Sequence, residues 1–232
     1  MRRQVLSLVV VLFVSGLVLP ATGYAQQSFN IYVGAFVPKG ADSRTDNDVL
    51  VGDLDFLSFK IGDFSGATIG GEWLFGLGDR LDAGVGLGFY SKRVPSVYRD
   101  LTHSNGSEIE QDLKLRVVPF TATVRFLPLG RGAAIQPYIG AGVGVFAWRY
   151  SETGEFVDVT DSSIFRDSFS GSGATAGPVV LGGVVVPIGS WSVGFEIRYQ
   201  SGQGELPTDQ GFAGTKIDLG GFNYLASFKV RF

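Results

Sequence analysis

Residues that could carry out nucleophilic or metal chemistry are scarce in this sequence. The chain of 232 residues contains one histidine, His103, and no cysteine. A thiol nucleophile, a disulfide framework and a zinc site made of cysteine and histidine are therefore excluded. His103 is followed directly by Ser104 and Asn105, but adjacent side chains point apart on an extended chain, which does not favour a nucleophile beside its base. The sequence predicts no catalytic, cofactor or metal site.

Charged side chains instead recur at every second position, which is the spacing of one face of a β-strand. Glu196 and Arg198 are two residues apart, and so are Lys229 and Arg231. Acids and bases occur in comparable numbers opposite the apolar faces, and buried charges are tolerated only when they are paired. The pattern therefore predicts a network of ion pairs facing one interior. The predicted network consists of Glu72, Asp82, Arg116, Arg125, Glu196, Arg198, Lys229 and Arg231.

The elements that would position these charges are strands with one apolar face. From Trp191 to Gln200, large apolar residues alternate with polar residues or glycine, and strict alternation over ten residues is typical of a strand. In the fourth segment the alternation changes parity, and a bulge near Val117–Pro119 is expected to restore one apolar face. The sixth segment is apolar on both faces. Eight segments have strand character: 28–38, 64–75, 81–92, 109–126, 133–150, 175–187, 191–200 and 221–232.

The gaps between these segments are alternately short and long. A transmembrane β-barrel has short periplasmic turns, long outer loops and an even number of strands, and strands of about 9–11 residues span a bilayer. Backbone groups in lipid must be paired internally, so the strands must close into a ring. The sequence thus predicts an all-β protein, an eight-stranded antiparallel up-and-down transmembrane β-barrel. The predicted long loops are 39–63, 93–108, 151–174 and 201–220.

The N-terminal residues have the composition of a secretory signal peptide. Arg2 and Arg3 precede the apolar run Val5–Leu19, and small residues end at Ala25. The run is shorter than the about 20 residues that a spanning helix requires. We expect residues 1–25 to be a signal peptide and residues 26–232 to be the barrel domain, located in the cell outer membrane. A formal net charge of −3 does not favour a nucleic-acid partner.

Four parts of the sequence carry a resemblance to a known family. They are the N-terminal export signal, the segment Gln136–Gly144, the strand Gly194–Tyr199 and the alternating C-terminal residues Tyr224, Phe228, Val230 and Phe232. The chain resembles the eight-stranded outer-membrane β-barrel superfamily of OmpA/OmpX/OmpW-like small barrels over essentially its whole predicted mature length. The resemblance implies that the C-terminal residues are the assembly signal read by the barrel-assembly machinery. A barrel with lipid-facing apolar strands contacts outer-membrane lipid. The acidic long loops suit a surface held near divalent-bridged lipopolysaccharide, or they keep the loops solvated.

Two functions stay open from the sequence. Side chains can just fill an eight-stranded barrel, which favours a structural or surface-interaction role with a largely filled lumen. The inward faces are also rich in glycine, which permits tight curvature and leaves room for a slender ligand. The OmpW-like resemblance implies the alternative, a narrow channel for small hydrophobic solutes. The partly apolar loop 39–63 is expected to extend as strand beyond the membrane or to fold over the mouth of the barrel.

Overall fold

Eight strands close into one antiparallel barrel in the computed structural model, which describes residues 26–158 and 160–232. The predicted signal peptide, residues 1–25, lies outside the described residues. The barrel strands are β1 (Gln27–Pro38), β2 (Gly66–Gly76), β3 (Leu81–Thr102), β4 (Glu108–Phe126), β5 (Gln136–Val157), β6 (Ile164–Ile188), β7 (Trp191–Gln200) and β10 (Gly221–Arg231). Their order around the ring is β1-β10-β7-β6-β5-β4-β3-β2. The predicted fold class is confirmed.

The outer wall of the barrel carries a continuous ring of exposed apolar side chains, here called the apolar belt. Ile139 is 66% exposed and Ile31 51% exposed, far more than the apolar surface of a water-soluble barrel would allow. A closed barrel with such a belt is the form in which strands span the outer membrane, in agreement with the predicted localisation. The belt consists of Ile31, Val33, Ile69, Leu87, Phe89, Phe120, Val124, Ile139, Val143, Val145, Val180, Val193, Phe195, Ile197, Tyr224 and Phe228.

Aromatic side chains lie at both rims of the belt. At one rim the ring centroids of Trp73 and Phe232 are 5.4 Å apart, and at the other those of Tyr199 and Phe222 are 5.1 Å apart. The first rim lies at the end with the short turns, the start of β1 and Phe232, which is the periplasmic end in barrels of this type. The opposite end is the extracellular end. Among the described residues, no helix is long and apolar enough to cross a membrane.

Strands β3 to β6 continue well beyond the belt at the extracellular end. They contain 22, 19, 22 and 25 residues, whereas β7 contains 10. Pairing of β5 with β6 continues to Val157↔Ile164, and pairing of β3 with β4 continues to Thr102↔Glu108. The prediction of loops over 93–108 and 151–174 is therefore wrong. Most of these residues extend the strands into water, where lipid no longer dictates an apolar outer face.

The polarity of the wall inverts where these strands leave the membrane. In β4, Leu113, Leu115 and Val117 are buried inside the barrel, whereas Arg116 is exposed on the outer face. The β3–β4 register is identical on both sides of Pro119, since Leu87 pairs with Phe120 and Tyr90 with Val117. The expected bulge near Val117–Pro119 is therefore absent, and the register shift lies instead between Val97 and Thr102. The parity change marks a change of surroundings, from lipid outside to water outside.

Two connections fold over the extracellular mouth, which was one of the two expectations for 39–63. Loop 1 (residues 39–65) contains the 3-10 helices Ala41–Ser43 and Ile61–Phe64 and the short helix α1 (Val49–Asp53). Loop 4 (residues 201–220) contains the small hairpin of β8 (Gln203–Glu205) and β9 (Lys216–Asp218). Both loops pack against the inward apolar residues of β3 to β6. This extracellular core includes Val49, Leu50, Leu57, Phe64, Val94, Leu113, Leu115, Phe146, Trp148, Tyr150, Leu206, Ile217 and Leu219.

Candidate functional site

Four charged side chains meet inside the barrel at the level of the apolar belt and form the charge quartet: Glu72, Arg125, Glu196 and Arg198. None is more than 4% exposed. Arg125 Nη2 contacts Glu72 Oε2 and lies 2.8 Å from Glu196 Oε2. Arg198 Nε donates to Glu196 Oε1 at 2.8 Å, and its Nη2 lies 3.8 Å from Glu72 Oε2. Two acids and two bases give the quartet no formal net charge.

The quartet joins strands that are not neighbours in the wall, because β2, β4 and β7 supply its members. Inward-facing tyrosines complete its surroundings. Tyr138 donates to Glu196 Oε2 at 2.8 Å, and its ring lies 4.9 Å from the Arg125 guanidinium carbon. The Arg198 guanidinium carbon lies 5.3 Å from the Tyr32 ring centroid, within the distance of a cation–π contact. A side chain at Gly70 would collide with Tyr32, so this glycine leaves the space that the aromatic ring occupies.

The other residues of the predicted network lie in two places. Asp82 forms an ion pair with Arg131 near the periplasmic end. Lys229 is buried there, and Arg231 Nη2 donates to Ser192 Oγ at 3.3 Å. Arg116 is the exception: it lies on the outer face of β4, so its predicted position in the lumen is wrong. The prediction failed because it assumed the bulge that the structure does not have.

Arg131 is a half-buried residue that the strand pattern does not predict. It lies in the connection between β4 and β5, and its guanidinium donates to the Gly78 and Leu81 carbonyls at 2.7 Å each. It thus ties two periplasmic turns together while pairing with Asp82. Strand periodicity provides no signal for a residue in a turn, and only its charge opposite Asp82 could have suggested the pairing.

Loop 1 is fastened by a buried ion pair that we call the loop latch, Arg44 with Asp48. Arg44 Nε and Nη2 lie 2.7 and 3.0 Å from the two carboxylate oxygens of Asp48, in a bidentate arrangement. Asp48 also caps α1 by accepting from the backbone N–H groups of Leu50 and Val51. It accepts a further hydrogen bond from the backbone N–H of Asp218 in loop 4 at 2.6 Å. An aspartate directly before Val49-Leu50-Val51 was a capping signal that could have located this contact.

A pair of acidic side chains is buried in the extracellular core without a basic partner among the described residues. Tyr150 Oη donates to Asp53 Oδ2 at 2.7 Å. Burial raises the pKa of Asp53 to about 7, and neighbouring Asp48 adds to the effect. Burial and the charge of Asp53 raise the pKa of Glu152 to about 8. Both carboxyls lie beyond the apolar belt, Asp53 on α1 and Glu152 on β5.

These carboxyls are expected to make the loop packing less stable as the pH rises. The folded protein retains protons that the unfolded chain releases near pH 4, so stability falls between about pH 4 and pH 8 and is constant above that range. Asp53→Asn keeps an oxygen for Tyr150 and should stabilise the protein at pH 9 by about 2–4 kcal/mol. Urea unfolding at pH 5 and pH 9 measures this. Asp55→Asn, at an exposed position of the same loop, is the control. If the free energy of unfolding depended on pH equally in both variants, the raised pKa could not belong to Asp53.

His103 lies at the extracellular tip of the β3–β4 hairpin, in the turn between the strands. Its Nε2 lies 2.9 Å from Glu155 Oε2 on β5. The contact joins this turn to the neighbouring hairpin, and Ser104 and Asn105 take no part in it: Asn105 Oδ1 accepts instead from Ser107.

The chain was compared with known proteins at three levels. No family model matches it, and no curated protein sequence matches it. Among solved structures it is similar to Neisserial surface protein A (NspA), at 14% identity and a TM-score of 0.47, with 89% of this chain and 97% of the other covered. It is also similar to Ail, the attachment invasion locus protein of Yersinia pestis, solved with the heparin analogue sucrose octasulfate: 14% identity, a TM-score of 0.42, and 90% and 99% coverage.

A further similarity is to the outer membrane protein AlkL, solved in DMPC lipid bilayers. The identity is 16% and the TM-score 0.35, with 92% of this chain and 94% of the other covered. At these identities and TM-scores the likeness concerns general architecture only.

Proposed function

We propose that this outer-membrane β-barrel has a structural or surface-interaction role and a largely filled lumen. The observation that carries the proposal is the charge quartet, since its salt bridges cross the interior between β2, β4 and β7. Two cavities next to the quartet, one on each side, are small. One at the periplasmic end, lined by Asp82 and Lys229 among others, has about 10 Å³, and one beside Tyr90 and Gln200 has about 10 Å³. Each holds about one water molecule.

The extracellular core supports the same proposal. Above the quartet the interior is occupied by α1 and by the residues of loop 4 that pack on Trp148 and Tyr150. The loop latch holds both loops together. A solute passing through the barrel would have to displace this core and then break the salt bridges beneath it.

The second candidate function is a narrow channel for small hydrophobic solutes. One feature favours it. The interior above the quartet is lined by apolar side chains, and its extracellular mouth is covered by loops 1 and 4. A movement of loops 1 and 4 would expose a passage of apolar character. We treat this function as the alternative, because the quartet still spans the interior below the loops.

Conductance across planar bilayers distinguishes the two functions. The purified barrel is first checked for heat-modifiable gel mobility after extraction from outer membranes, which verifies that it is inserted. We expect no discrete openings and no solute uptake into liposomes. Reproducible openings together with uptake of a small apolar solute would overturn the filled-lumen proposal and favour the channel.

Export and assembly complete the proposal. Residues 1–25 act as a signal peptide that is removed before insertion, and lipid and lipopolysaccharide surround the apolar belt. The barrel-assembly machinery reads the C-terminal alternation, that is Tyr224, Phe228, Val230 and Phe232. The proposal includes no nucleic-acid partner, no cofactor and no catalytic activity.

The C-terminal residue gives a direct test of assembly. Phe232→Ser is expected to reduce the amount of folded barrel in the outer membrane several-fold, because Phe232 is exposed at the periplasmic rim and packs on Trp73 there. The measurement is the heat-modifiable fraction in isolated outer membranes. Phe165→Ser removes another exposed aromatic ring, at the extracellular end, and is the control. Normal levels of folded Phe232→Ser barrel would refute the assembly signal.

A further inference from the structure

Four basic side chains lie together on the outer face of β3, β4 and β5, just beyond the apolar belt. We call Arg93, Lys114, Arg116 and Arg149 the interfacial cation patch. All four are exposed. Lys114 is the direct cross-strand partner of Arg93, and Arg116 is the direct partner of Arg149. The two pairs are two residues apart along β4, so they occupy consecutive outward positions.

This arrangement places like charges directly opposite each other. Cross-strand partners have Cβ atoms about 4.5–5.5 Å apart, and like charges at such positions destabilise a sheet. Asp112 lies 3.3 Å from Arg93 and compensates part of this charge. In the described part of the chain, no carboxylate lies within 4.0 Å of the side-chain nitrogens of Lys114, Arg116 or Arg149. Among the described residues, three of the four charges therefore have no counter-charge within 4.0 Å.

The height of the patch is fixed by the strand register. The outward pair next to Arg116 and Arg149 on the membrane side is Val118 with Ala147, followed by Phe120 with Val145. Two residues of strand correspond to about 7 Å, so the guanidinium groups begin where the apolar side chains end. At the extracellular rim on the opposite side of the barrel, Tyr199 and Phe222 provide aromatic rings instead. The interfacial cation patch thus lies on the β3–β5 side of the barrel, directly beyond the apolar belt, where outer lipid headgroups are expected.

We propose that the interfacial cation patch is a binding site for the phosphate groups of outer-leaflet glycolipid. A phosphate between Arg116 and Arg149 replaces their repulsion with two charge-assisted, bidentate contacts. Basic clusters next to a membrane surface are the usual means by which proteins recognise anionic lipid headgroups. The phosphate of a lipid is already held at this height by the membrane. It therefore loses less translational entropy on binding to the patch than a free phosphate ion does. The inference rests on the proposed function, since the patch meets headgroups only in a barrel inserted in the outer membrane.

The test compares ligands with and without phosphate on the full mature barrel in a maltoside detergent, which supplies no phosphate of its own. The probes are bisphosphorylated lipid A, dephosphorylated lipid A and inorganic phosphate. The variant is Arg116→Gln with Arg149→Gln, and the control is Arg166→Gln, which removes an arginine with a 78% exposed side chain elsewhere on β6. Binding is measured by titration, and stability by the urea midpoint in the presence and absence of each probe.

We expect bisphosphorylated lipid A to bind the wild type and the control equally, and the double variant about tenfold or more weakly. Without lipid, the double variant should have the higher urea midpoint, because repulsion has been removed; with bisphosphorylated lipid A, the wild type should have the higher midpoint. The proposal would be overturned if the wild type bound phosphorylated and dephosphorylated lipid A with equal affinity. It would also be overturned if the double variant bound bisphosphorylated lipid A as tightly as the wild type does. Inorganic phosphate that binds as tightly as lipid A would overturn the assignment to a headgroup.

Failure of this inference is separable from failure of the proposed function. A barrel that shows heat-modifiable mobility in outer membranes but no preference for phosphorylated lipid A refutes the phosphate site alone. A protein that is not inserted in outer membranes refutes the proposed function, whatever it binds in detergent.

Discussion

Glu196→Gln is expected to lower the free energy of unfolding by about 3–5 kcal/mol, the usual effect of breaking a buried ion pair. Glu196 contacts both arginines of the charge quartet at 2.8 Å or less and accepts from Tyr138. Without its charge, Glu72 alone compensates Arg125 and Arg198, which are both buried. The measurement is urea unfolding of the barrel in detergent micelles or lipid vesicles.

The size of this effect also distinguishes the two candidate functions. In a hydrated channel, screening should reduce the loss to about 1 kcal/mol or less. Glu110→Gln is the matched control, since Glu110 is exposed on β4 and its substitution should leave the midpoint unchanged. A Glu196→Gln barrel that unfolds at the wild-type midpoint would argue against a closed, charge-packed interior. A second substitution, Arg198→Gln in the same chain, should restore part of the loss because it removes one uncompensated charge.

The second large effect is expected from Asp48→Ala, which removes the loop latch. The substitution leaves Arg44 buried without its partner and removes the carboxylate that accepts from the backbone N–H groups of Leu50 and Asp218. The local stability of loops 1 and 4 should fall by about 3–5 kcal/mol. Hydrogen exchange of the loop amides should accelerate accordingly, while the amides of the strands within the apolar belt keep their protection.

The conductance of Asp48→Ala tests whether loops 1 and 4 alone prevent passage through the barrel. Under the proposed function, Asp48→Ala stays silent in planar bilayers even though its loops are loosened, because the charge quartet still crosses the interior. Discrete openings in Asp48→Ala but not in wild type would mean that the loops alone prevent passage, which supports the channel. Asp42→Asn, at an exposed position of the same loop, is the control and should change neither exchange nor conductance.

The sequence is informative about this fold wherever lipid and a packed interior face the two sides of a strand. The predicted bounds 191–200 and 28–38 agree with β7 and β1 to within one residue, because an apolar outside and a polar inside impose a period of two. Beyond the belt the same strands have water outside and an apolar core inside. The rule that assigns polar residues to the interior then fails, which is why Arg116 was misplaced.

The candidate site was only partly predictable for a different reason. Alternation predicts which face Glu72, Arg125 and Glu196 occupy, but not that they meet, because β2, β4 and β7 are brought together only by closure of the ring. Arg44 and Asp53 lie in a loop without periodicity, where burial depends on the packing of distant segments. The function of the predicted network stays a prediction until the substitutions above are measured.

The latch also constrains the order in which the molecule can fold. Asp48 and Asp218 are 170 positions apart in the chain, and the strands next to them, β1 and β10, are the pair that closes the ring. Contacts of such sequence separation form late, because the entropy of the intervening loop must be lost first. The contact between loops 1 and 4 and the pairing of β1 with β10 therefore form together, in the last step of folding. A nascent chain that lacks β10 can form neither of them.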